Sequence, residues 1–572
     1  MAQTDKLKVV LCWHMHQPHY RDGKDGQYRL PWVYLHAIKD YTDMVAHLEA
    51  CPEARVVVNF APVLLEQLDD YVRQLDGWLE QGKSMQDGML NLLAGVQAIP
   101  RGLDARLKLL QDCQRGHHPT MIAPHAEFQG LLEACQPFLY HSTMAGRGLA
   151  YLGDQFFHDL LVWYHLAWMG VSVYQSDVRV SELMNKARGF DEDDRRMLVE
   201  VIRDAMQGII PRYRALYESG QIELSTTPYG HPIVPLLLDF DSMGDALPNA
   251  PRPEHAAYPG GADRARWHMD KGLHVFAEHF GKRPSGIWLS EGAVSDAAVK
   301  LLDEYDIQWT ATGQAVWHNS CRFSGMDAVS SCNRALYRPA VLENGRCKVF
   351  FRDDGLSDLI GFQYKSWHAD DAARDFCQHM TNIANFLGHK VKNHVVTVIL
   401  DGENAWEYYP NNAHYFLTAF YKALSRHPRV EMTTFSDALQ QGAEPLPINR
   451  LAAGSWVYGS FSTWIGEKDK NRGWDLLVEA KQACDRVLAS GRLVPEQRQM
   501  VIAQLAVCEG SDWFWWFGDY NPADSVRDFE QLYRQHLEKL YELLGEPLPE
   551  ALSEPVSQGG GNMENSGTMR RN

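Results

Sequence analysis

The chain has 572 residues, 45% of them hydrophobic, which is enough for a large core and more than one domain. Its 55 lysines and arginines against 73 acidic residues leave a net charge of −18, which argues against a nucleic-acid partner or an anionic membrane surface. No run of about 18 apolar residues occurs, so no membrane-spanning helix is expected.

The N-terminus, MAQTDKLKVVLCWHMHQPHY, enters a strand without the apolar segment of a signal peptide. The first strand is expected at Lys8–His14 and closes in Trp13-His14-Met15-His16-Gln17-Pro18-His19. Three readings of that cluster stand side by side. His14, His16 and Gln17 could line a polar pocket, the His-x-His spacing could hold zinc, or the loop could cap the strands. A second strand is expected at Arg55–Phe60. The stretch from about 61 to 221 is too long for a loop and reads as helices at Pro62–Leu79, Leu103–Cys113, Phe156–Met169 and Arg195–Ser219. It is expected to be a helical insertion.

A third strand, Ile222–Pro228, runs into Tyr229-Gly230-His231-Pro232, a turn that would aim an aromatic ring and an imidazole at the strand ends. Ser242–Ala262 is rich in Pro and Gly and reads as a loop. Further strands follow at Ser285–Ser290, Gln308–Gly313, Val349–Asp353 and Val395–Leu400, with Glu431–Phe435 as a possible eighth. Strands alternating with helical patterns imply an α/β protein with parallel βαβ units, and seven of them imply a barrel over residues 1–440. Residues 441–552 turn mostly helical, at Trp474–Ala489, Pro495–Cys508 and Ser525–Leu544, as a C-terminal domain contributing to the cleft. Residues 553–572 are rich in Gly, Ser and Asn and are expected to be disordered. The ten cysteines are Cys12, Cys51, Cys113, Cys135, Cys321, Cys332, Cys347, Cys377, Cys484 and Cys508. They show no Cys-x-x-Cys spacing and are expected to be reduced thiols of a cytoplasmic protein.

Two strands end in carboxylates. Ser285–Ser290, with Trp288 in it, ends in Glu291. Val395–Leu400 ends in Asp401-Gly402-Glu403-Asn404, followed by Trp406 and Glu407. Retaining glycosidic cleavage needs one ionised carboxylate as nucleophile and one protonated acid, about 5–5.5 Å apart. Glu291 fits the nucleophile. Asp401, Glu403 and Glu407 compete for the acid, and Asp401 sits at the strand end, where geometry is most rigid. Arg352-Asp353-Asp354 ends another strand and could orient a catalytic carboxylate, or form an Arg–Asp salt bridge across the barrel. Trp456 and Tyr458 lie in GSWVYGSFSTWIG, and a second aromatic cluster, SDWFWWFGDYN, follows at 511–521. Such clusters serve either as sugar platforms or as packing between domains.

These motifs resemble glycoside hydrolase family 57, the α-amylase, amylopullulanase and 4-α-glucanotransferase group, over about residues 8–545. His14-Met15-His16-Gln17-Pro18 resembles the family's first motif, and Glu223-Leu224-Ser225 with His231 its second. Gly286–Glu291 is similar to the nucleophile motif and Leu400–Asn404 to the acid/base motif, while the later aromatic blocks resemble the amylase and amylopullulanase branch rather than the branching enzymes. The resemblance implies an incomplete (β/α)7 barrel with a helical C-terminal domain. It implies retaining chemistry on α-glucans, here expected to be α-1,4-linked, with Glu291 as nucleophile and Asp401 as acid/base; no cofactor or metal is expected. His14, His16, Gln17, His231, Trp288, Arg352, Asp353, Glu403, Trp406, Trp456 and Tyr458 are the expected substrate-binding residues. Leu289 departs from the proline the family commonly carries before the Ser-Glu pair.

Two rivals remain at this stage. One is a zinc-dependent α-mannosidase or deacetylase on a seven-stranded barrel. The mannosidase pattern would place aspartate where His16 stands. The other is a glycan-binding protein without catalysis.

Overall fold

The computed structural model describes residues 5–139, 146–323, 325 and 333–561. Among these, nine strands form: β1 (Leu7–Met15), β2 (Val56–Phe60), β3 (Ile222–Thr226), β4 (Trp309–Thr312), β5 (Ala340–Leu342), β6 (Lys348–Phe351), β7 (Val395–Asp401), β8 (Val430–Met432) and β9 (Leu446–Ile448). β1 is buried along its whole length, as an apolar run with both faces covered requires. It lies parallel to β2 on one side and β7 on the other, β3 follows β2, and β8 pairs with Leu7–Val9. A second sheet runs β4-β6-β5-β9, parallel except for the β5–β6 pair. Single bridges join Thr226 to Ile287, Gly286 to Trp309, and Arg352 to Thr397, all parallel. The fold is α/β with a mostly parallel sheet and many helices.

The expected strand at 285–290 is the main departure. It is not a regular strand. Trp288 donates its N–H to the Thr226 carbonyl and Ile287 to that of Trp309, but the chain turns at once through Ser290–Gly292. Glu291 stands at φ 60°, ψ 22°, a left-handed conformation that ends an extended run. β5 and β9, three residues each, went unanticipated because so short a segment carries no periodic signal.

The segment between β2 and β3 is helical. α1 (Pro62–Gln81) starts on proline and stops at left-handed Gly82, α2 is Leu103–Cys113, and α3 is Asp154–Ala167. α4 (Glu192–Glu218) is started by Asp191, whose carboxylate accepts from Asp194 N–H while Asp194 accepts in return. α5 (Gly261–Phe280) ends the loop after β3. Beyond β9, α6 (Lys468–Ala489), α7 (Pro495–Cys508), α8 (Asp512–Trp516) and α9 (Ala523–Leu544) pack together.

The start of the expected disordered tail is ordered instead. Val556 is buried and donates its N–H to Glu530 Oε1, and buried Ser557 accepts from Gly518 N–H. Residues 562–572 lie outside the described residues, as does Cys332. Cys12, Cys113, Cys135, Cys347, Cys484 and Cys508 are buried free thiols; Cys51 and Cys377 are half-buried. Among the described residues, no helix is long and apolar enough to cross a membrane.

Candidate active site

Register brings the first polar side chains to one level. His14 on β1 stands opposite Asn59 on β2 and Asp401 on β7, and Asn59 stands opposite Ser225 on β3. Asn59 Oδ1 lies 2.7 Å from His14 Nδ1, and Asn59 Nδ2 donates to Ser225 Oγ at 2.8 Å. An amide oxygen can only accept, so the His14 ring hydrogen sits on Nδ1 and Nε2 is left without a partner. Asn59 was not anticipated, although a lone amide in VVVNF was the available signal. β7 passes close to β1 here. A Cβ on Gly402 would fall 2.1 Å from Met15 Sδ, so a larger residue after Asp401 would have to displace the Met15 side chain.

His14, His16 and His231 stand as three near-parallel rings. His16 and His231 stack at 3.8 Å between centroids and 16° between planes, with His14 at 5.6 and 5.3 Å from them. His231 takes a left-handed φ of 58° in the turn after β3. Two residues from the start of α8 hold this stack. Ser511 Oγ lies 2.9 Å from His231 Nδ1, and Asp512 Oδ1 pairs with His16 Nε2 at 2.8 Å. Trp513 and Phe514 of the same block are packing, buried against Tyr533. Asp512 was read only as part of the block, because nothing local distinguishes it.

Glu291 faces the stack. Its Oε1 lies 3.9 Å from His231 Nδ1, and its Oε2 accepts from the Trp456 indole Nε1–H at 3.0 Å. Leu289, the departure from the family's proline, has φ −59°, a value that a proline ring would also take. Across the site, Asp401 Oδ2 accepts from Asn404 at 3.0 Å.

The other expected residues divide. Gln17 Nε2 and the His16 N–H both approach Glu403 Oε1 at 3.4 Å, while Glu403 Oε2 is buried without a partner. Arg352 donates to the Ile399 carbonyl, Asp354 and Asp358, and its guanidinium lies 5.7 Å from the Trp456 ring centre. Tyr458 is 42% exposed, open to a ligand. Three expectations are corrected. Both Asp353 oxygens are taken, one capping the helix at 354–358 through Leu356 N–H and the other accepting from Tyr337. Trp406 is fully buried with its indole N–H on the Gly402 carbonyl, and Trp288 is fully buried with its ring edge-on to Trp456. Buried rings offer no face to a sugar.

Charge in the site follows from burial. Burial, then Asp401, raises the Glu291 carboxyl to about 8; burial also raises Asp401. Burial, then Asp401 and Asp40, holds Glu403 well above the usual carboxylate range. Burial and neighbouring His16 push His14 down to about 3, and burial with both other imidazoles keeps His231 neutral. Burial opposes charge on His16 as well, but Asp512, Glu291 and Asp401 outweigh it and raise its pKa. The site thus holds one favoured cation, His16, between two carboxyls that retain protons unusually well.

The family model for glycosyl hydrolase family 57 matches residues 10–447, three quarters of the chain. The chain belongs to that family. Solved structures agree on the fold of this family 57 protein. They include a branching enzyme from Pyrococcus horikoshii (15% identity, 96% of this chain and 93% of that one, TM-score 0.55). An α-amylase from Thermotoga maritima is similar at 13% identity, over 96% of both chains, with TM-score 0.54. A branching enzyme from Thermococcus kodakaraensis matches at 14% identity, over 97% and 98%, with TM-score 0.51. The family match ends at residue 447, before Trp456, Ser511 and Asp512.

Ligand atoms of His16, His231 and Asp512 lie within 4.8 Å of one another, close enough for a metal ion. Imidazole lone pairs lie in the ring plane, however, and these two rings are stacked face to face. Their lone pairs therefore run side by side rather than converging, which fits donors and acceptors for hydroxyl groups better than a tetrahedral ion.

Proposed function

We propose that this family 57 protein is a retaining glycoside hydrolase and transglycosylase acting on α-1,4-glucans such as glycogen, starch or maltodextrin. Asp401 protonates the glycosidic oxygen as that oxygen leaves the anomeric carbon. Glu291 attacks the same carbon and forms a glycosyl ester. Asp401 then takes the proton of an incoming water or sugar hydroxyl, whose oxygen displaces Glu291. Water completes hydrolysis and a sugar completes transfer. The observation that carries this reading is geometric: two largely buried carboxyls meet at one site, Glu291 beside the His231 ring at 3.9 Å with Trp456 on its Oε2, and Asp401 at the end of β7 opposite His14. The family match supports the reaction class. Amylase and branching activities of the structurally similar proteins support an α-glucan substrate and leave both fates of the glycosyl ester open to this site.

The bridges at Thr226–Ile287, Gly286–Trp309 and Arg352–Thr397 support reading both sheets as one incomplete (β/α)7 barrel, with β1, β2, β3, 285–288, β4, β6 and β7 as staves. A helical C-terminal domain from about 441 completes the cleft, and buried thiols suit the cytoplasm. The deciding experiment is a product profile on maltopentaose and pullulan with anomer analysis. Retained α-configuration in shortened or lengthened maltooligosaccharides supports the proposal, and inversion or no turnover rejects it. The zinc reading rests on the His16, His231 and Asp512 cluster. It predicts stoichiometric zinc and chelator-sensitive activity; the glycosidase reading predicts full activity in chelator.

A further inference from the structure

The strongest unassigned feature is how Trp456 meets Glu291. The expectation for this residue was a sugar platform or domain packing. Its contacts describe something else. The Trp456 backbone N–H donates to the Glu291 carbonyl at 3.1 Å, and its indole Nε1–H donates to Glu291 Oε2 at 3.0 Å. One residue therefore holds both ends of the other. Glu291 needs holding, because a non-glycine residue at φ 60° costs on the order of 1 kcal/mol and persists only where surroundings enforce it.

Trp456 is itself braced, though partly exposed. Gly454 and Val294 exchange both backbone hydrogen bonds, at 2.8 and 3.1 Å, which ties this segment to the turn carrying Glu291. Ser455 Oγ closes the loop onto the Ser460 carbonyl at 2.8 Å. Trp288 meets the indole edge-on at 5.2 Å, and Arg352 lies against it. A Cβ on Gly313, at the end of β4, would fall 2.7 Å from Trp456 Cα, so the backbone of the loop is pressed onto the strand ends.

We propose that Trp456 is a positioning residue for the nucleophile. Its indole N–H fixes Oε2 of Glu291 and so presents Oε1 to the anomeric carbon. Oε1 accepts no hydrogen bond among the described residues, as an attacking oxygen should not. A donor on Oε2 stabilises the carboxylate more than the acid, so this N–H also favours ionisation of Glu291 against the burial and the Asp401 charge that oppose it. This rests on Glu291 being the nucleophile.

The test is Trp456→Phe, which keeps an aromatic ring and removes the N–H. The expected result is a kcat lowered about 10- to 100-fold, with KM for maltopentaose changed less than about threefold. The acidic limb of the kcat/KM profile should move up by about one pH unit. A melting temperature close to the parent's certifies the fold; if it falls instead, Trp456→His, which restores a ring N–H, should recover part of kcat and return the limb toward its original position. A loss confined to KM with an unmoved pH limb overturns the proposal in favour of a sugar platform. Unchanged kinetics overturn it outright. Glu291→Gln separates this failure from failure of the site reading. If that variant is inactive while Trp456→Phe behaves as the parent, only the positioning role falls. If Glu291→Gln turns over normally, the nucleophile assignment falls and the positioning role with it.

Discussion

Two regions build this site by different physical means. The strand-borne part consists of His14, Asn59, Ser225 and Asp401, whose level is set by backbone ladders. The part from beyond β9 consists of Trp456, Ser511 and Asp512, held by side-chain contacts with partners 165 to 496 residues away in sequence. The first part supplies the proposed acid, Asp401, and rigid donors. The second supplies a hydrogen bond to Glu291 and the charge that sustains His16 as a cation. Asp401 sits where backbone register forbids drift, and the groups that touch Glu291 and His16 arrive on a separate layer. Glu291 is the meeting point, carried by a turn between bridge-paired residues and clamped from the far side.

This contrast can be broken most forcefully at Glu291. Glu291→Gln should lower turnover by at least ~10³, since the covalent step is lost. The same change should stabilise the protein at alkaline pH. Glu291 has a folded-state pKa of about 8, above that of an exposed carboxyl. The stability linked to its proton is present in full at acidic pH and is lost as pH rises through about 8. Glutamine does not ionise, so melting temperatures of variant and parent should diverge between pH 5 and 9, with the variant higher and its unfolding free energy greater by on the order of a few kcal/mol at the alkaline end. Parallel melting curves against pH would mean that Glu291 is not held protonated by its surroundings.

On the strand-borne side, Asp401→Asn should cost about 10²- to 10⁴-fold on maltooligosaccharides and far less on activated aryl glucosides, which leave without a proton. Glu403→Gln serves as its control. If the leaving-group dependence follows Glu403 instead, the buried carboxyl between Gln17 and His16 is the acid.

On the C-terminal side, Asp512→Asn should act through His16. Without that carboxylate the imidazolium is favoured only at lower pH. The alkaline limb of kcat/KM should therefore move to lower pH, with about a tenfold loss at neutrality. An unmoved limb would leave Asp512 as a packing residue. The smallest effect is expected at Tyr458, which is exposed at the loop surface. Tyr458→Ala should raise KM for long maltooligosaccharides by about two- to fivefold through lost stacking, with kcat and melting temperature unchanged. An equal change on maltotriose would show that it does not read chain length.

The amino-acid sequence by itself determined the strand-borne half. Apolar runs such as Val395–Leu400 end abruptly in carboxylates, and a strand's residues can face the site only at its ends, so Asp401 and the His14–Gln17 cluster could be picked out as candidates, with Glu403 and Glu407 still competing for the acid. Helices at Leu103–Cys113 and Pro495–Cys508 were legible to the residue for the same reason: period and end signals are local. Asn59 was within reach as the one polar residue of its strand. Only the tertiary structure decided that Trp406 and Trp288 are core, that Asp353 is a helix cap, that Val556 packs, and that Trp456 and Asp512 reach Glu291 and His16. Those outcomes depend on which distant side chain lies opposite, and a tryptophan or aspartate has the same local pattern whether it meets a sugar, a core or a catalytic group.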